Sequence, residues 1–123
     1  KPIFQHEYAL SNLKANGYKL AVASNSVRNS VELMMNKSNL SQYLDVFLSN
    51  QDVTNGKPDP EIYIKGMSML GASPSETLVL EDNEHGIASV NAAGAHLMVI
   101  EEVTDVTLDA INKRIAEIER GDG

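Results

Sequence analysis

Short apolar runs alternate with helical segments along this chain, and this alternation constrains its fold more than any other feature. The sequence predicts four strands, at 18–23, 46–48, 77–80 and 96–100. Five helices are predicted between and around them, at 4–16, after Ser26, after Pro60, at 85–93 and over the stripe from Leu108 to Ile118. Strands that alternate with helices at these lengths favour an α/β fold with a doubly wound parallel sheet.

Composition narrows the class of protein further. The length of 123 residues suits one domain, and 17 acidic against 10 basic residues give a net charge of -7. Without a cluster of Lys and Arg, no nucleic-acid partner is expected. No apolar run reaches the roughly 18 residues of a membrane span, and no cysteine is present, so we expect a cytoplasmic protein with no membrane partner.

Polar side chains follow two of the predicted strands at the point where each strand ends. Ser24 and Asn25 come directly after the first strand, and Glu81 and Asp82 come after the third. Lys57 lies in a loop that Asn, Gly and Pro residues make turn-like, just ahead of a helix start. Because ligands of parallel sheets bind beyond the carboxyl ends of the strands, we expect these side chains to face one crevice.

The set is chemically suited to a phosphate and a divalent cation. A serine hydroxyl, free amides at a helix start and a lysine ammonium bind phosphate oxygens. The adjacent carboxylates of Glu81 and Asp82 suit Mg²⁺, which takes one or two carboxylates and leaves its other positions to water and substrate. Taken singly, Ser24 also fits a helix cap, Lys57 a solvated loop lysine and the acidic pair a structural turn.

Three motifs in this order resemble the haloacid dehalogenase superfamily, in its β-phosphoglucomutase-like and phosphoglycolate-phosphatase-like branch. They are SNS after a strand, then NGKPDPEIY, then VLEDNEHGIASVNAAG, and the match runs from Leu10 to Ile100. The resemblance implies that the Ser24 hydroxyl and the Asn25 amide bind the transferring phosphoryl group. It also implies that Lys57 neutralises phosphate charge and that Glu81 and Asp82 form the Mg²⁺ site, with Asp82 preferred for direct ligation.

The resemblance also identifies what is missing from the sequence. The family's first motif, a strand ending in DxDG that supplies the nucleophilic aspartate, would precede residue 1, and so would the helical cap domain. Asp105 and Asp109 resemble this motif only superficially. They lie near the C-terminus, at the start of a predicted helix, and are poor candidates for it. Residues 1–123 are therefore expected to be the C-terminal part of a catalytic core, an incomplete sheet that is inactive alone.

The missing strand would lie between the strands at 18–23 and 77–80. Unpaired strand edges are disfavoured, so we expect these two strands to rearrange and pair directly, or to exchange strands with another chain in a homo-oligomer. A complete five-stranded sheet within one chain would contradict this expectation.

The expected function is part of a Mg²⁺-dependent phosphatase or phosphosugar mutase that acts through an aspartyl phosphate on a small phosphorylated metabolite. The alternative is a non-catalytic phosphate-binding or interaction module that a partner chain completes. A two-component receiver domain has the opposite order of acidic, hydroxyl and lysine residues. His6, His85 and His96 lack the spacing of metal ligands and are read as packed or surface residues.

Overall fold

A computed structural model describes residues 2–23, 45–101 and 105–121 of the chain. Its helices are α1 (Pro2–Ala15), α2 (Glu61–Leu70), α3 (Glu84–Ala93) and α4 (Leu108–Glu119). Its strands are β1 (Ala21–Ala23), β2 (Val46–Leu48), β3 (Leu78–Glu81) and β4 (His96–Val99). Short 3-10 helices lie at Asn50–Asp52 and Pro74–Glu76. The helix predicted after Ser26 lies outside the described residues.

The predicted strands are all present, with small shifts at their ends. The bounds of β2 agree with the prediction, whereas β1 is shorter and begins at Ala21. Ahead of β1, the backbone N–H of Leu20 donates to the Asp45 carboxylate at 2.9 Å. This N–H therefore bonds to a side chain and not to the backbone of a neighbouring strand. β3 extends one residue beyond the prediction because Glu81 still pairs with Val99 of β4.

Local side-chain and backbone chemistry fixes both ends of α3. The Asn83 side chain accepts a hydrogen bond from the backbone N–H of Gly86 at 2.8 Å and so caps the start of α3. Gly94 ends the same helix with a φ of 81°, a left-handed conformation that favours glycine. The short loop between β3 and α3 therefore places the start of α3 directly after the carboxyl end of β3.

The strands form two parallel pairs, β1 with β2 and β3 with β4. The predicted α/β class with parallel strands is confirmed. The expected direct pairing of the strands at 18–23 and 77–80 is wrong, because β1 and β3 belong to different sheets among the described residues. Helix α2 contacts β1 and β2, and α3 contacts β3 and β4, so contact between α2 and α3 connects the two strand pairs.

The main core lies where α2 and α3 meet the strands. Its buried members are Val46, Leu48, Ile62, Tyr63, Met67, Val90 and Ala93. The other two helices, α1 and α4, contact each other, and Ala9, Leu13 and Ile111 are buried there.

None of the helices in the described ranges combines the length and apolar character that a crossing of the lipid bilayer requires.

Candidate functional site

A cleft of about 1080 Å³ separates the two strand pairs. The strands β1 and β3 line it together with residues of α2 and α4. Lys57, Glu81 and Asp82 also line the cleft, and the two carboxylates lie at the carboxyl end of β3. The cleft therefore runs between apolar strand edges to a charged group at the edge where parallel sheets bind ligands.

Lys57 bridges the two strand pairs at this edge. Its ammonium donates to Oε2 of Glu81 at 2.8 Å and to the carbonyl oxygen of Ala23 at 3.1 Å. Ala23 is the last residue of β1, and Glu81 is the last residue of β3. Lys57 thus places a positive charge between the carboxyl ends of the two strands that flank the cleft.

The loop that carries Lys57 is held by a carboxylate on α2. Glu61 accepts hydrogen bonds from the backbone N–H groups of Thr54, at 2.8 Å, and Asn55, at 2.9 Å. These bonds lower the pKa of the Glu61 carboxyl below its usual value of 4.5. The Asp59 carboxylate in turn accepts from the backbone N–H of Glu61 at 2.9 Å, so both sides of the loop are tied to the start of α2.

Glu81 is only 6% exposed, and at least four donors contact its carboxylate. Lys57 and the Tyr63 hydroxyl reach Oε2 at 2.8 and 2.5 Å, and the Asp82 N–H and the Asn83 amide reach Oε1 at 3.1 and 3.3 Å. Burial raises the pKa of Glu81, but the hydrogen bonds from Lys57 and Tyr63 outweigh it and the pKa is lowered overall. Burial and the Glu81 carboxylate raise the pKa of Tyr63.

Asp82 has the opposite environment to Glu81. It is exposed, and its Oδ1 accepts from the Asn83 side chain at 3.4 Å. An exposed carboxylate beside a helix start fits Mg²⁺, which binds one or two carboxylates and keeps several waters. The buried oxygens of Glu81 are already taken up by the donors above. Among the described residues no group of three or more His, Asp or Glu side chains is arranged to hold a metal ion.

The structure brings Lys57, Glu81 and Asp82 to one edge, as the sequence predicts. Ser24 and Asn25 lie outside the described residues, directly after Ala23, and their phosphate-binding roles stay predictions. The metal-binding roles of Glu81 and Asp82 stay predictions as well.

The structure describes four of the other residues weighed from the sequence. His85 is exposed, and the His96 ring contacts the carbonyl oxygen of Ser75 at 3.1 Å. Nothing is described of the His6 side chain. The Asp105 carboxylate accepts from the backbone N–H of Glu101 at 3.0 Å, and Asp109 is exposed in the first turn of α4.

Sequence reasoning missed two residues of the site, Tyr63 and Gly86. Tyr63 lies on the buried face of α2, its hydroxyl donates to Glu81 and its ring centroid lies 4.9 Å from the Lys57 ammonium. Gly86 lies in the first turn of α3, against the Glu81 side chain. A tyrosine hydroxyl on a core stripe and a glycine within a helix are both signals, because each is disfavoured there without a specific partner.

Comparison with known proteins identifies the family of this chain. A family model described as haloacid dehalogenase-like hydrolase matches residues 1–100. This chain belongs to the haloacid dehalogenase-like hydrolase family. Over 91 residues it is 35% identical to Pyrophosphatase PpaX of Bacillus mycoides (strain KBAB4), covering 74% of this chain and 42% of that protein.

Solved structures of this family have the same fold. A β-phosphoglucomutase from Clostridium difficile superposes with a TM-score of 0.80 at 20% identity, covering 94% of this chain and 57% of that one. CbbY from Rhodobacter sphaeroides, solved in complex with phosphate, has a TM-score of 0.71 at 26% identity, with 75% and 42% coverage. The chain thus spans well under two thirds of each of these proteins.

Proposed function

We propose that residues 1–123 are the C-terminal part of the catalytic core of a Mg²⁺-dependent phosphoryl-transfer enzyme. One observation carries the proposal: the Lys57 ammonium lies between the carboxyl end of β1 and the acidic residues that end β3. A fixed positive charge at that point suits the charge that develops on a transferring phosphoryl group. Membership of the haloacid dehalogenase-like family supports the same reaction class.

Each residue has a proposed role at this edge. Lys57 neutralises phosphate charge, and the Ser24 hydroxyl with the Asn25 amide holds phosphate oxygens just beyond β1. Asp82 is the proposed Mg²⁺ ligand, and Glu81 would be a second ligand only if it gave up hydrogen bonds that it now accepts. A bound Mg²⁺ would supply charge stabilisation to the phosphoryl oxygens. The residues of this chain bind and orient the phosphate, and the attacking aspartate of the family is not among them.

The proposed substrate is a small phosphorylated metabolite. The name of the B. mycoides relative specifies a pyrophosphatase, and CbbY was solved with phosphate. Both support a phosphate group as the moiety recognised. Hydrolysis and phosphosugar mutation both remain within this proposal, because the two reactions share an aspartyl phosphate in the family.

Hydrolysis of an aryl phosphate tests this proposal directly. We expect the protein translated from the gene's own start codon to hydrolyse it with Mg²⁺ and to lose activity in EDTA. Residues 1–123 alone should be inactive. Lys57→Met should lower kcat about a hundredfold or more, as removal of one charge-stabilising donor does, while Lys65→Met, on the exposed side of α2, should not. Mg²⁺-independent hydrolysis, or full activity of Lys57→Met, would refute the proposed site.

The facing edges of β1 and β3 favour a second proposal, a non-catalytic phosphate-binding or interaction module that another chain completes. Among the described residues each of these strands has one strand partner, so each leaves an edge on the cleft. Open edges of this kind pair readily with other chains. We propose that residues 1–123 alone form a strand-exchanged homo-oligomer. Size-exclusion chromatography with light scattering should give a particle mass above the 13.4 kDa of one chain. A monomeric mass at high protein concentration would contradict the proposed oligomer.

The gene upstream of Lys1 separates the two proposals. A strand ending in DxDG followed by a helical insert supports the enzyme, whereas native translation that begins near Lys1 supports the partner-completed module.

A further inference from the structure

We propose that Tyr63 is a positioning residue of this site, whose hydroxyl fixes the Glu81 carboxylate against Lys57. Residue 86 is a glycine because the Glu81 side chain occupies the space that a larger side chain would fill there. The consequence for phosphoryl transfer rests on the function proposed above, but the geometry that follows does not.

Tyr63 contacts both members of the Lys57–Glu81 ion pair. Its hydroxyl donates to Oε2 of Glu81 at 2.5 Å, the same oxygen that accepts from Lys57 at 2.8 Å. The ring centroid lies 4.9 Å from the Lys57 ammonium, within the range of a cation–π contact. Tyr63 is itself 8% exposed, so the hydroxyl has little access to water as a substitute partner. Its loss would remove one of the bonds that orient the carboxylate.

Gly86 makes the position of Glu81 sterically possible. A Cβ atom at residue 86 would lie 1.9 Å from Cδ and 2.2 Å from Oε2 of Glu81. Even alanine must therefore displace the carboxylate from Lys57 and Tyr63. Alanine is otherwise the better helix former by about 1 kcal/mol, so helix propensity does not explain a glycine here.

Gly66 provides a matched comparison in α2. A Cβ atom there would lie 3.5 Å from Cδ1 of Leu48, which is an ordinary contact. Replacing Gly66 by alanine also adds one methyl group to a helix but leaves Glu81 in place. The pair of variants thus separates displacement of the carboxylate from the general effect of a methyl group in a helix.

The position of Glu81 determines where the Lys57 ammonium lies. The ammonium is held between Glu81 and the carbonyl oxygen of Ala23, directly before Ser24. When Glu81 moves, Lys57 loses one of the acceptors that hold its ammonium at the phosphate edge. Tyr63 and Gly86 therefore act on the phosphate site through Glu81 and Lys57, without contact to the substrate.

Nuclear magnetic resonance of the lysine side chains tests the geometry on residues 1–123. An ammonium signal in a ¹H–¹⁵N spectrum is observed when hydrogen bonds and burial slow its exchange with water, and the Lys57 side chain is 7% exposed. We expect the Lys57 signal to fall at least fivefold in Tyr63→Phe and in Gly86→Ala. It should persist in Gly66→Ala and in Tyr8→Phe, which removes an exposed hydroxyl. An undiminished signal in Tyr63→Phe and Gly86→Ala, with their backbone amide spectra intact, would overturn the proposal.

Kinetics of the active protein distinguish positioning from a structural role. We expect Tyr63→Phe and Gly86→Ala to lower kcat for an aryl phosphate by about tenfold to a hundredfold, the effect of a small misplacement. The Mg²⁺ concentration at half-maximal rate should not change. A shifted Mg²⁺ requirement with normal kcat would contradict the proposed role. If no variant or parent protein hydrolyses the substrate, the proposed function fails, and the lysine signal still decides the role of Tyr63.

Discussion

Removing Lys57 is expected to destabilise this protein much more than removing an exposed lysine. The Lys57 and Glu81 side chains are each 7% exposed. Lys57→Met would leave the Glu81 carboxylate buried beside Tyr63 without its cation, and such a change costs about 3–5 kcal/mol. Glu81→Gln in the same background removes the uncompensated charge and keeps an acceptor for the Tyr63 hydroxyl. The double variant should therefore be more stable than the sum of the single effects predicts, by about 2 kcal/mol.

The Lys14–Asp45 ion pair is the matched control, with side chains 42% and 32% exposed. Solvent screening limits such pairs to about 0–1 kcal/mol. Urea unfolding followed by circular dichroism at 222 nm gives the free energies for both cycles, Lys57→Met with Glu81→Gln and Lys14→Met with Asp45→Asn. If the coupling energy of the Lys57 cycle is no larger than that of the Lys14 cycle, the reasoning about a buried pair is refuted.

Two further predictions concern stability. Ile62 is fully buried and Ile64 is 51% exposed, so Ile62→Ala should lower the free energy of unfolding by about 2–5 kcal/mol and Ile64→Ala by less than about 0.5 kcal/mol in urea unfolding; equal effects would contradict the assigned core. Because the pKa of Glu61 is lowered from 4.5, the stability it contributes is present above that value and is lost as pH falls through the lower folded-state pKa. Glu61→Gln should flatten the fall in unfolding free energy below pH 4.5, and an unchanged acid profile would show that the Thr54 and Asn55 bonds to Glu61 contribute nothing.

The sequence predicts the elements of this fold well, because their signals are local. Apolar runs identify the strands, and the helix predicted at 85–93 agrees with α3 to within one residue. The separation of β1 from β3 could not be predicted in this way. It depends on contacts between helices and sheets that are distant in sequence.

The same limit applies to the site. Lys57 and Asp82 follow from motif order and strand ends, but the burial of Glu81 depends on Tyr63, 18 residues away, and on the space left by Gly86. The sequence predicts one metal site that includes both Glu81 and Asp82. In the structure one is buried against a lysine and a tyrosine, and the other is exposed at the cleft.

The response of hydrolysis to Mg²⁺ in Asp82→Asn tests the proposed phosphoryl-transfer site most directly. The rate of aryl phosphate hydrolysis would be measured over a range of Mg²⁺ concentrations for the protein translated from its own start codon. Asp109→Asn, at an exposed position in α4, serves as the control. We expect the control to retain the parent Mg²⁺ response and Asp82→Asn to lose most of it. An Asp82→Asn protein with an unchanged Mg²⁺ response would contradict the assignment of this edge as the catalytic site.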